Sequence, residues 1–247
     1  MQNPFSLEGK TILVTGASAG IGRAIAIACA GMGAIVCITA RNKIRLDETM
    51  RMMEGMGHLS LAADISVQEN INTLVTGLPK LDGVVHCAGV GSRVLCKSIN
   101  EKDIESVLVP NFKGPVLLQT ALLSQKKVNK SASIVFIASR AADVPSVGNA
   151  VYSASKGAII SYSKCLGLEL APRQIRVNCI CPAMVWTDLI VQDGISKEDL
   201  ELSQLEYPLK LYGQPDDIAH LTVYLLSNAS CWMTGSCIDI TGGAKEL

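Results

Sequence analysis

A tyrosine and a lysine lie four residues apart in the segment Tyr152-Ser153-Ala154-Ser155-Lys156. The apolar run that begins here is typical of a helix, and side chains at positions i and i+4 of a helix share one face. An ammonium group beside a phenol favours the phenolate, so the pair could exchange a proton near neutral pH. Many surface pairs have the same spacing, so its place in the rest of the chain must decide between the two interpretations.

The N-terminal residues have the pattern of a dinucleotide site. Lys10 to Thr15 form a short apolar and β-branched run, which predicts a buried strand, and a glycine-rich turn and a helical segment follow directly. Glycines permit a tight turn and a close approach to a pyrophosphate, and a helix N-terminus offers free N–H groups. A plain glycine-rich turn is the weaker alternative. The contacts predicted from this turn are Gly16, Ser18, Gly20, Ile21 and Gly22.

The end of the second predicted strand favours one cofactor over another. Ala34 to Ala40 is a continuous apolar run, as expected of a parallel strand that is covered on both faces. Where an NAD-selective site would place an acid, this chain has Arg41 followed by Asn42. Because arginine suits a 2′-phosphate and no carboxylate repels it, we expect NADP rather than NAD to bind. A solvated loop arginine is the alternative interpretation.

The bulk composition indicates one globular domain. The chain has 247 residues, 49% of them hydrophobic, and 22 basic residues balance 22 acidic ones, which suits an α/β domain with a sizeable core. With no basic stripe, no long apolar run and no secretory signal, we expect neither nucleic acid nor a membrane as a partner. The nine cysteines lack C-x-x-C spacing, and no histidine has a second ligand at helical spacing. We therefore expect reduced thiols, a cytoplasmic location and no metal site.

Strand and helix patterns alternate along the chain, which predicts a single doubly wound Rossmann domain of residues 1–247. We expect a mostly parallel seven-stranded sheet with helices on both faces. Strands are predicted at about 10–15, 34–40, 58–63, 81–87, 132–139, 174–181 and 236–240. Helices are predicted at about 20–32, 43–55, 67–77, 101–128, 152–171 and 215–227. The least regular stretch, about 186–212, is predicted to be a substrate lid.

An ordered series of motifs runs through nearly the whole chain. Its members are T-G-x-x-x-G-I-G at Thr15 to Gly22, Asp64, Ala88-Gly89, Asn111-x-x-Gly114, Ser139, Tyr152, Lys156, Asn178, Pro182, Thr187, Thr234-Gly235 and Gly242-Gly243. In this order they resemble the short-chain dehydrogenase/reductase family in its single-domain branch. The chain departs from the family at His86-Cys87, where asparagines are usual, and at Ala183, where glycine is usual. It also has Ala19 where NADP-selective members often carry a basic residue.

The resemblance implies a role for each matched residue. Tyr152 would exchange the proton with the substrate oxygen, Lys156 would favour the ionised phenol and bind the nicotinamide ribose, and Ser139 would polarise the carbonyl. Asn111 would hold a water that relays protons to Lys156, and hydride would pass between the nicotinamide and the carbonyl carbon. Taken singly, Asp64 could be a helix N-cap, Asn111 an ordinary helix residue and Ser139 the end of a strand. The other implied cofactor contacts are Asp64, Ile65, Ala88, Gly89, Pro182, Val185 and Thr187.

The resemblance also implies a choice of substrates. It is nearest to the β-ketoacyl-acyl-carrier-protein reductases, and Lys130 and Arg173 match the two basic positions that dock the carrier. The same skeleton serves sugar, polyol and small-ketone dehydrogenases, for which Trp186 and Tyr207 could stack on a sugar ring unless they are core residues. We therefore expect NADP(H)-dependent interconversion of a carbonyl and a secondary alcohol, on a small or carrier-bound substrate. A non-catalytic dinucleotide sensor stays open.

A homotetramer is implied by the same resemblance. Its subunits would meet through the long helices predicted at about 101–128 and 152–171 and through the C-terminal strand. Apolar positions such as Ile160 and Leu168 would then be interface residues.

Overall fold

The computed structural model describes residues 3–191 and 196–244. Its strands are β1 (Thr11–Thr15), β2 (Ile35–Ala40), β3 (Leu59–Ala62), β4 (Leu81–His86), β5 (Val128–Ile137), β6 (Arg176–Pro182) and β7 (Cys237–Ile240). They form one sheet in the order β3-β2-β1-β4-β5-β6-β7, in which every neighbouring pair is parallel. The described α-helices are α1 (Gly20–Gly31), α2 (Lys43–Met52), α3 (Gln68–Gly77), α4 (Glu101–Leu108), α5 (Gly114–Ser124), α6 (Ala150–Leu170), α7 (Asp188–Val191), α8 (Lys197–Ser203) and α9 (Pro215–Leu226).

The sheet is buried on both faces, which explains why its central strands are continuous apolar runs. Side chains alternate between the faces along each strand. Ile12 and Val14 of β1 join an apolar cluster that includes Ile25 of α1. Leu13, between them, joins a second cluster that includes Leu118 of α5 and Ile159 of α6. The predicted doubly wound α/β fold is therefore confirmed.

The long helix predicted at about 101–128 is helical from 101 to 124, but a π-helical turn, Val109–Lys113, divides it into two α-helices. Pro110 lies in this turn; its ring removes a backbone N–H donor and obstructs the regular α-helical ladder. The helix then ends at Ser124, and β5 begins at 128 instead of 132. The register between β4 and β5 shifts here, and Ser131 has a φ of 60°. Because several of the first residues of β5 are polar, the hydrophobic pattern of the sequence does not show where the strand begins.

His86 ends β4 as a packed core residue, as predicted. Its ring is 3% exposed and stacks on Phe136 with 4.5 Å between the ring centres. The ring Nε2 lies 2.9 Å from Oε1 of Gln119, which can only accept, so Nε2 carries the hydrogen. Burial lowers the pKa of His86 from 6.5 to about 4, although the hydrogen bond with Gln119 opposes this shift. The folded protein therefore keeps this imidazole neutral.

The substitution His86→Asn is expected to remove part of the acid sensitivity of the fold. Below pH 6.5 the unfolded chain binds a proton at His86 that the folded chain rejects. Stability is therefore lost as the pH falls from 6.5 towards 4, by up to about 1.4 kcal/mol per pH unit. Denaturant unfolding at pH 7 and pH 5 measures the effect. The two proteins share every carboxylate, so equal losses of stability between these pH values would contradict the assignment.

Candidate active site

A cleft of about 670 Å³ opens where the parallel strands end. Ligands of open α/β sheets bind in this position. All of the predicted cofactor-binding residues, from Gly16 to Thr187, line the cleft, and so do Ser139, Tyr152 and Lys156. The structure thus brings together residues that are far apart in the sequence, and Asn111 is the predicted site residue missing from the lining.

The glycine-rich turn is packed too tightly for side chains at two positions. Gly16 has a φ of +69°, and a Cβ there would lie 2.9 Å from the main chain of Ala88. A Cβ on Gly22 would clash with the main-chain oxygen of Gly16. The adjacent Thr15, whose part was missed from the sequence, accepts hydrogen bonds at Oγ1 from the N–H groups of Cys87 (3.0 Å) and Ala88 (3.1 Å). This hydroxyl joins the turn to the segment after β4.

The N-terminus of α1 can receive an anion. Its N-cap, Ala19, makes no side-chain cap, and the first turn has no acidic residue, so main-chain N–H groups and the positive end of the helix dipole are available. Arg23 donates to the main-chain oxygen of Ser18 at 2.6 Å and to Glu48 at 3.0 Å. The turn is therefore anchored to α2. Together with the absent side chains of Gly16 and Gly22, this geometry fits the pyrophosphate of a dinucleotide.

Two arginines lie at the edge of the cleft beside β2. Arg41 is exposed and lines the cleft. The Asn42 side chain accepts a hydrogen bond from the N–H of Arg45 at 3.0 Å and so caps α2. The guanidinium of Arg45 lies 3.4 Å from the carboxylate of Asp188 in α7. This exposed ion pair, which adds little to stability, links the cofactor edge of the cleft to the predicted lid.

Asp64 and Ile65 form the wall of the cleft after β3. The Asp64 carboxylate accepts from the N–H of Ser66 at 2.8 Å, whereas α3 begins later and has Val67 as its N-cap. The alternative that Asp64 is the N-cap of α3 is therefore wrong. A Cβ on Gly114 would lie 2.7 Å from the main-chain oxygen of Ile65. Only glycine fits at the last position of the Asn111-x-x-Gly114 motif, because a side chain there would collide with this oxygen.

The tyrosine and the lysine lie in the first turns of α6 and face the cleft together. Lys156 Nζ is 5.7 Å from the ring centre of Tyr152 and donates to the main-chain oxygen of Ile137 at 2.9 Å. Only 6% of Lys156 is exposed, so the ammonium is held between the phenol and the end of β5. Ser139 accepts at Oγ from the N–H of Ala141 at 3.1 Å. Its own hydroxyl hydrogen stays available for a substrate oxygen.

Asn111 was predicted to be catalytic but lies behind the cleft, 2% exposed. Its amide donates to the main-chain oxygen of Val90 at 2.9 Å and to Oγ of Ser155 at 3.1 Å, and it accepts from the N–H of Val90 at 2.8 Å. Ser155 in turn donates to the main-chain oxygen of Tyr152 at 2.6 Å. Through these contacts Asn111 ties the loop after β4 to α6, and its part in a proton relay to Lys156 stays a prediction.

The predicted lid has an apolar core of its own. Tyr207 is 2% exposed and meets the ring of Tyr212 edge-on, with 5.0 Å between centres. Trp186 packs on the other side, 5.5 Å from the Tyr212 centre, and its Nε1 donates to Gln204 at 3.4 Å. Tyr207 is therefore a core residue of the lid that also lines the cleft, and Trp186 is partly buried against the same cluster. Residues 192–195 of the lid lie outside the described part of the chain.

Two further observations concern metal binding and membrane-spanning helices. Among residues 3–191 and 196–244, no group of three or more His, Cys, Asp or Glu side chains could hold a metal ion. The helices of the same residues include none that is both long and apolar enough to cross a bilayer.

Several proteins that are similar to this chain are named as reductases. A family model described as Enoyl-(Acyl carrier protein) reductase matches residues 16–245. The 3-oxoacyl-[acyl-carrier-protein] reductase of Rickettsia felis is 31% identical over 239 residues, which cover 97% of this chain and 98% of the relative. The L-xylulose reductase of Caenorhabditis elegans is 32% identical over 246 residues and covers 97% of each chain.

Solved structures show the same fold. A 3-ketoacyl-(acyl-carrier-protein) reductase from Brucella melitensis, in complex with NADH, has a TM-score of 0.86 at 30% identity and covers 96% of this chain and 99% of that one. A protein from Beutenbergia cavernae, assigned as an NAD(P)-dependent gluconate 5-dehydrogenase and holding NADP, has a TM-score of 0.85 at 29% identity and covers 98% of each.

A glycine turn after the first strand and a tyrosine–lysine pair line the same cleft, an arrangement that would suit a nicotinamide-dependent oxidoreductase. With the family match and the relatives added, the chain belongs to the short-chain dehydrogenase/reductase family. It is accordingly an NAD(P)-dependent oxidoreductase, and the sensor alternative loses its support.

Proposed function

We propose that this protein is an NADP(H)-dependent reductase that interconverts a carbonyl and a secondary alcohol, with Tyr152 as the proton donor. The observation that carries the proposal is the position of the Lys156 ammonium, 5.7 Å from the Tyr152 ring in the cleft that the glycine turn also lines. A non-catalytic protein would have no physical need to bury this cation beside a phenol.

Ser139, Tyr152 and Lys156 have distinct tasks in the proposed reaction. The bound nicotinamide supplies or accepts the hydride. Ser139 donates its hydroxyl hydrogen to the carbonyl oxygen and so stabilises the charge that develops there. Tyr152 gives its proton to the same oxygen, and Lys156 stabilises the phenolate that remains. The lid at about 186–212 would cover the substrate and exclude water.

The preference for NADP rests on Arg41. A guanidinium at the cleft edge can bind the 2′-phosphate in a charge-assisted hydrogen bond. Asn42 was predicted to contact the cofactor as well, but it gives this proposal less support because its side-chain oxygen already caps α2.

Replacing Arg41 with aspartate is expected to weaken NADPH binding by about 10- to 100-fold, because a charge-assisted hydrogen bond is lost and repulsion replaces it. NADH, which has no 2′-phosphate, should lose much less. Calorimetric titration with both cofactors measures the change. Arg51→Asp is the matched control, since it makes the same change of charge at an exposed arginine at the end of α2. Equal losses for NADPH and NADH would contradict the role of Arg41.

For the substrate, we favour a 3-oxoacyl group attached to an acyl carrier. The Rickettsia felis and Brucella melitensis proteins are named for this activity, and Lys130 presents an exposed cation. Arg173 supports the proposal less, because its guanidinium donates to the main-chain oxygen of Val128 at 2.6 Å and holds the start of β5. A sugar or polyol substrate is the second candidate, favoured by the L-xylulose reductase and by the gluconate 5-dehydrogenase structure.

A substrate panel separates these candidates. NADPH oxidation would be followed with a 3-oxoacyl thioester on an acyl carrier, the same thioester on a pantetheine fragment, a ketopentose and a keto-acid sugar. We expect the highest kcat/KM with the carrier-bound thioester, and a lower value with the fragment because it lacks the protein surface. A higher value with either sugar would select the second candidate. NADPH binding without reduction of any carbonyl would overturn the proposed function.

Location and assembly complete the proposal. All nine cysteines are free thiols, which supports a cytoplasmic location.

Leu168 on α6 is 79% exposed, and an apolar side chain at that exposure supports a subunit interface in a homotetramer. Light scattering that gives a monomer at micromolar concentration would refute the tetramer.

A further inference from the structure

A short segment at the start of the lid, residues 185–190, lies against the cofactor side of the cleft, and we call it the strap. Near its start, the N–H of Trp186 donates a main-chain hydrogen bond of 2.9 Å to the segment just before α9. At its end, Ile190 is buried in the apolar cluster of the lid. Between these points, a methyl carbon of Thr187 would lie 3.2 Å from a Cβ built on Gly20. The strap is therefore fixed beside the glycine-rich turn.

One charged contact joins the strap to α2. The guanidinium of Arg45 lies 3.4 Å from the carboxylate of Asp188 in the strap, and the two side chains are 50% and 60% exposed. The main chain of Arg45 is fixed within α2, because its N–H donates to Asn42 at 3.0 Å and its oxygen accepts from the hydroxyl of Thr49 at 3.1 Å. The contact thus joins two side chains whose backbones are each held in place.

The Arg45 guanidinium lies at the same edge of the cleft as Arg41, the residue proposed to bind a 2′-phosphate. Both arginines and Asp188 line the cleft. A phosphate monoester carries a charge of about −1.5 to −2 at neutral pH and three acceptor oxygens, whereas a carboxylate carries a single charge. A 2′-phosphate at this edge would therefore compete with Asp188 for the guanidinium of Arg45.

The magnitudes of the two interactions decide this competition. An exposed ion pair changes an equilibrium constant by no more than about fivefold, and the exposure of Arg45 and Asp188 puts their contact in this class. A charge-assisted hydrogen bond to a phosphate is worth about 10- to 100-fold. The phosphate should therefore win the guanidinium, at the small cost of breaking the ion pair.

We propose that Arg45 exchanges partners when the cofactor binds, and that Asp188 limits the preference for NADP(H). Arg45 pairs with Asp188 in the free protein and in the complex with NAD(H), and it pairs with the 2′-phosphate in the complex with NADP(H). The inference rests on the proposed use of NADP(H). It adds to Arg41 a second cation that favours the phosphorylated cofactor, and a carboxylate of the lid that opposes it.

Calorimetric titration of the full-length protein with NADPH and with NADH tests the exchange without any turnover. Arg45→Gln should weaken NADPH binding by about 10- to 100-fold and NADH binding by less than about fivefold. Asp188→Asn should strengthen NADPH binding by about two- to fivefold, because the competing carboxylate is gone, and should not strengthen NADH binding. In the variant with both substitutions, Asp188→Asn should give no gain, because there is no guanidinium to set free.

Lys43→Gln is the matched control. Lys43 belongs to the same helix and is exposed, and it forms an ion pair with Asp47 as Arg45 does with Asp188. It does not line the cleft that the described residues form. The substitution removes the same charge from α2, so both affinities should stay near their wild-type values. A loss of NADPH affinity as large as that of Arg45→Gln would show that only the net charge of α2 matters, and would overturn the exchange.

The outcomes separate this inference from the proposed function. Equal losses for NADPH and NADH in Arg45→Gln would overturn the exchange. A gain from Asp188→Asn that persists without Arg45 would also overturn it, because the carboxylate would then repel the phosphate directly. Selective losses as expected, together with no reduction of any carbonyl, would overturn the reductase proposal and leave the exchange standing. A wild-type protein that binds neither cofactor would overturn both.

Discussion

Replacing Tyr152 with phenylalanine is expected to lower the rate of NADPH-dependent carbonyl reduction by about 10²- to 10⁴-fold, the contribution of a positioned proton donor. The substitution removes one oxygen and keeps the ring beside Lys156, so the affinity for NADPH should change little. Stopped-flow measurement of NADPH oxidation and a separate NADPH titration check the two parts of this result.

The same helix provides the control for this substitution. Tyr162 lies on α6 and packs edge-on against Phe112 and Phe136. Burial raises the pKa of its hydroxyl to about 12. Tyr162→Phe removes a phenol from the same helix outside the cleft, so it should leave the rate unchanged. If Tyr152→Phe kept the wild-type rate, the proton would have to come from another group and the proposed mechanism would fail.

Replacing Gly22 with alanine is expected to weaken NADPH binding. The added methyl group would clash with the main-chain oxygen of Gly16, which belongs to the turn and cannot rotate away as a side chain could. Either the turn or α1 must shift, and such overpacking costs about 1–3 kcal/mol. At 1.4 kcal/mol for each tenfold change, NADPH affinity should fall by about 10- to 100-fold. Titration with NADPH and thermal unfolding measure both effects.

Gly31→Ala makes the same chemical change at the other end of α1. A Cβ on Gly31 would meet no atom within 4 Å, and alanine favours helix over glycine by up to about 1 kcal/mol. NADPH affinity should therefore stay at the wild-type value, and stability should hold or rise. Equal losses of affinity in the two variants would show that α1 tolerates no alanine in general, and the argument from the clash at Gly16 would fail.

The order of strands and helices could be predicted because its signals are local. In a sheet covered on both faces each central strand is an apolar run, and turns separate these runs from the helices. The start of β5 could not be predicted in this way, since the shifted register puts the polar residues Asn129 to Ser131 inside the strand. The π-helical turn did leave a signal, Pro110, whose ring could have divided the predicted helix.

The residues of the site could be predicted by type, but not all of their contacts. Asn111 reaches Val90 and Ser155, which lie in other segments, and spacing along the chain contains no information about such contacts. The part of Thr15 was missed for the same reason. A hydroxyl at the end of a buried strand gives no indication that it will accept two main-chain hydrogen bonds from the segment after β4.

The different burial of two cations, Lys156 and Arg41, has a consequence for how salt acts on the protein. Lys156 is only 6% exposed, so dissolved ions screen its interaction with Tyr152 much less than that of a surface charge. Arg41 is exposed, and mobile ions reduce the reach of an exposed charge from about 8 Å at physiological ionic strength to about 3 Å at 1 M. Concentrated salt should therefore erode the discrimination between the two nicotinamide cofactors while the intrinsic speed of proton transfer persists.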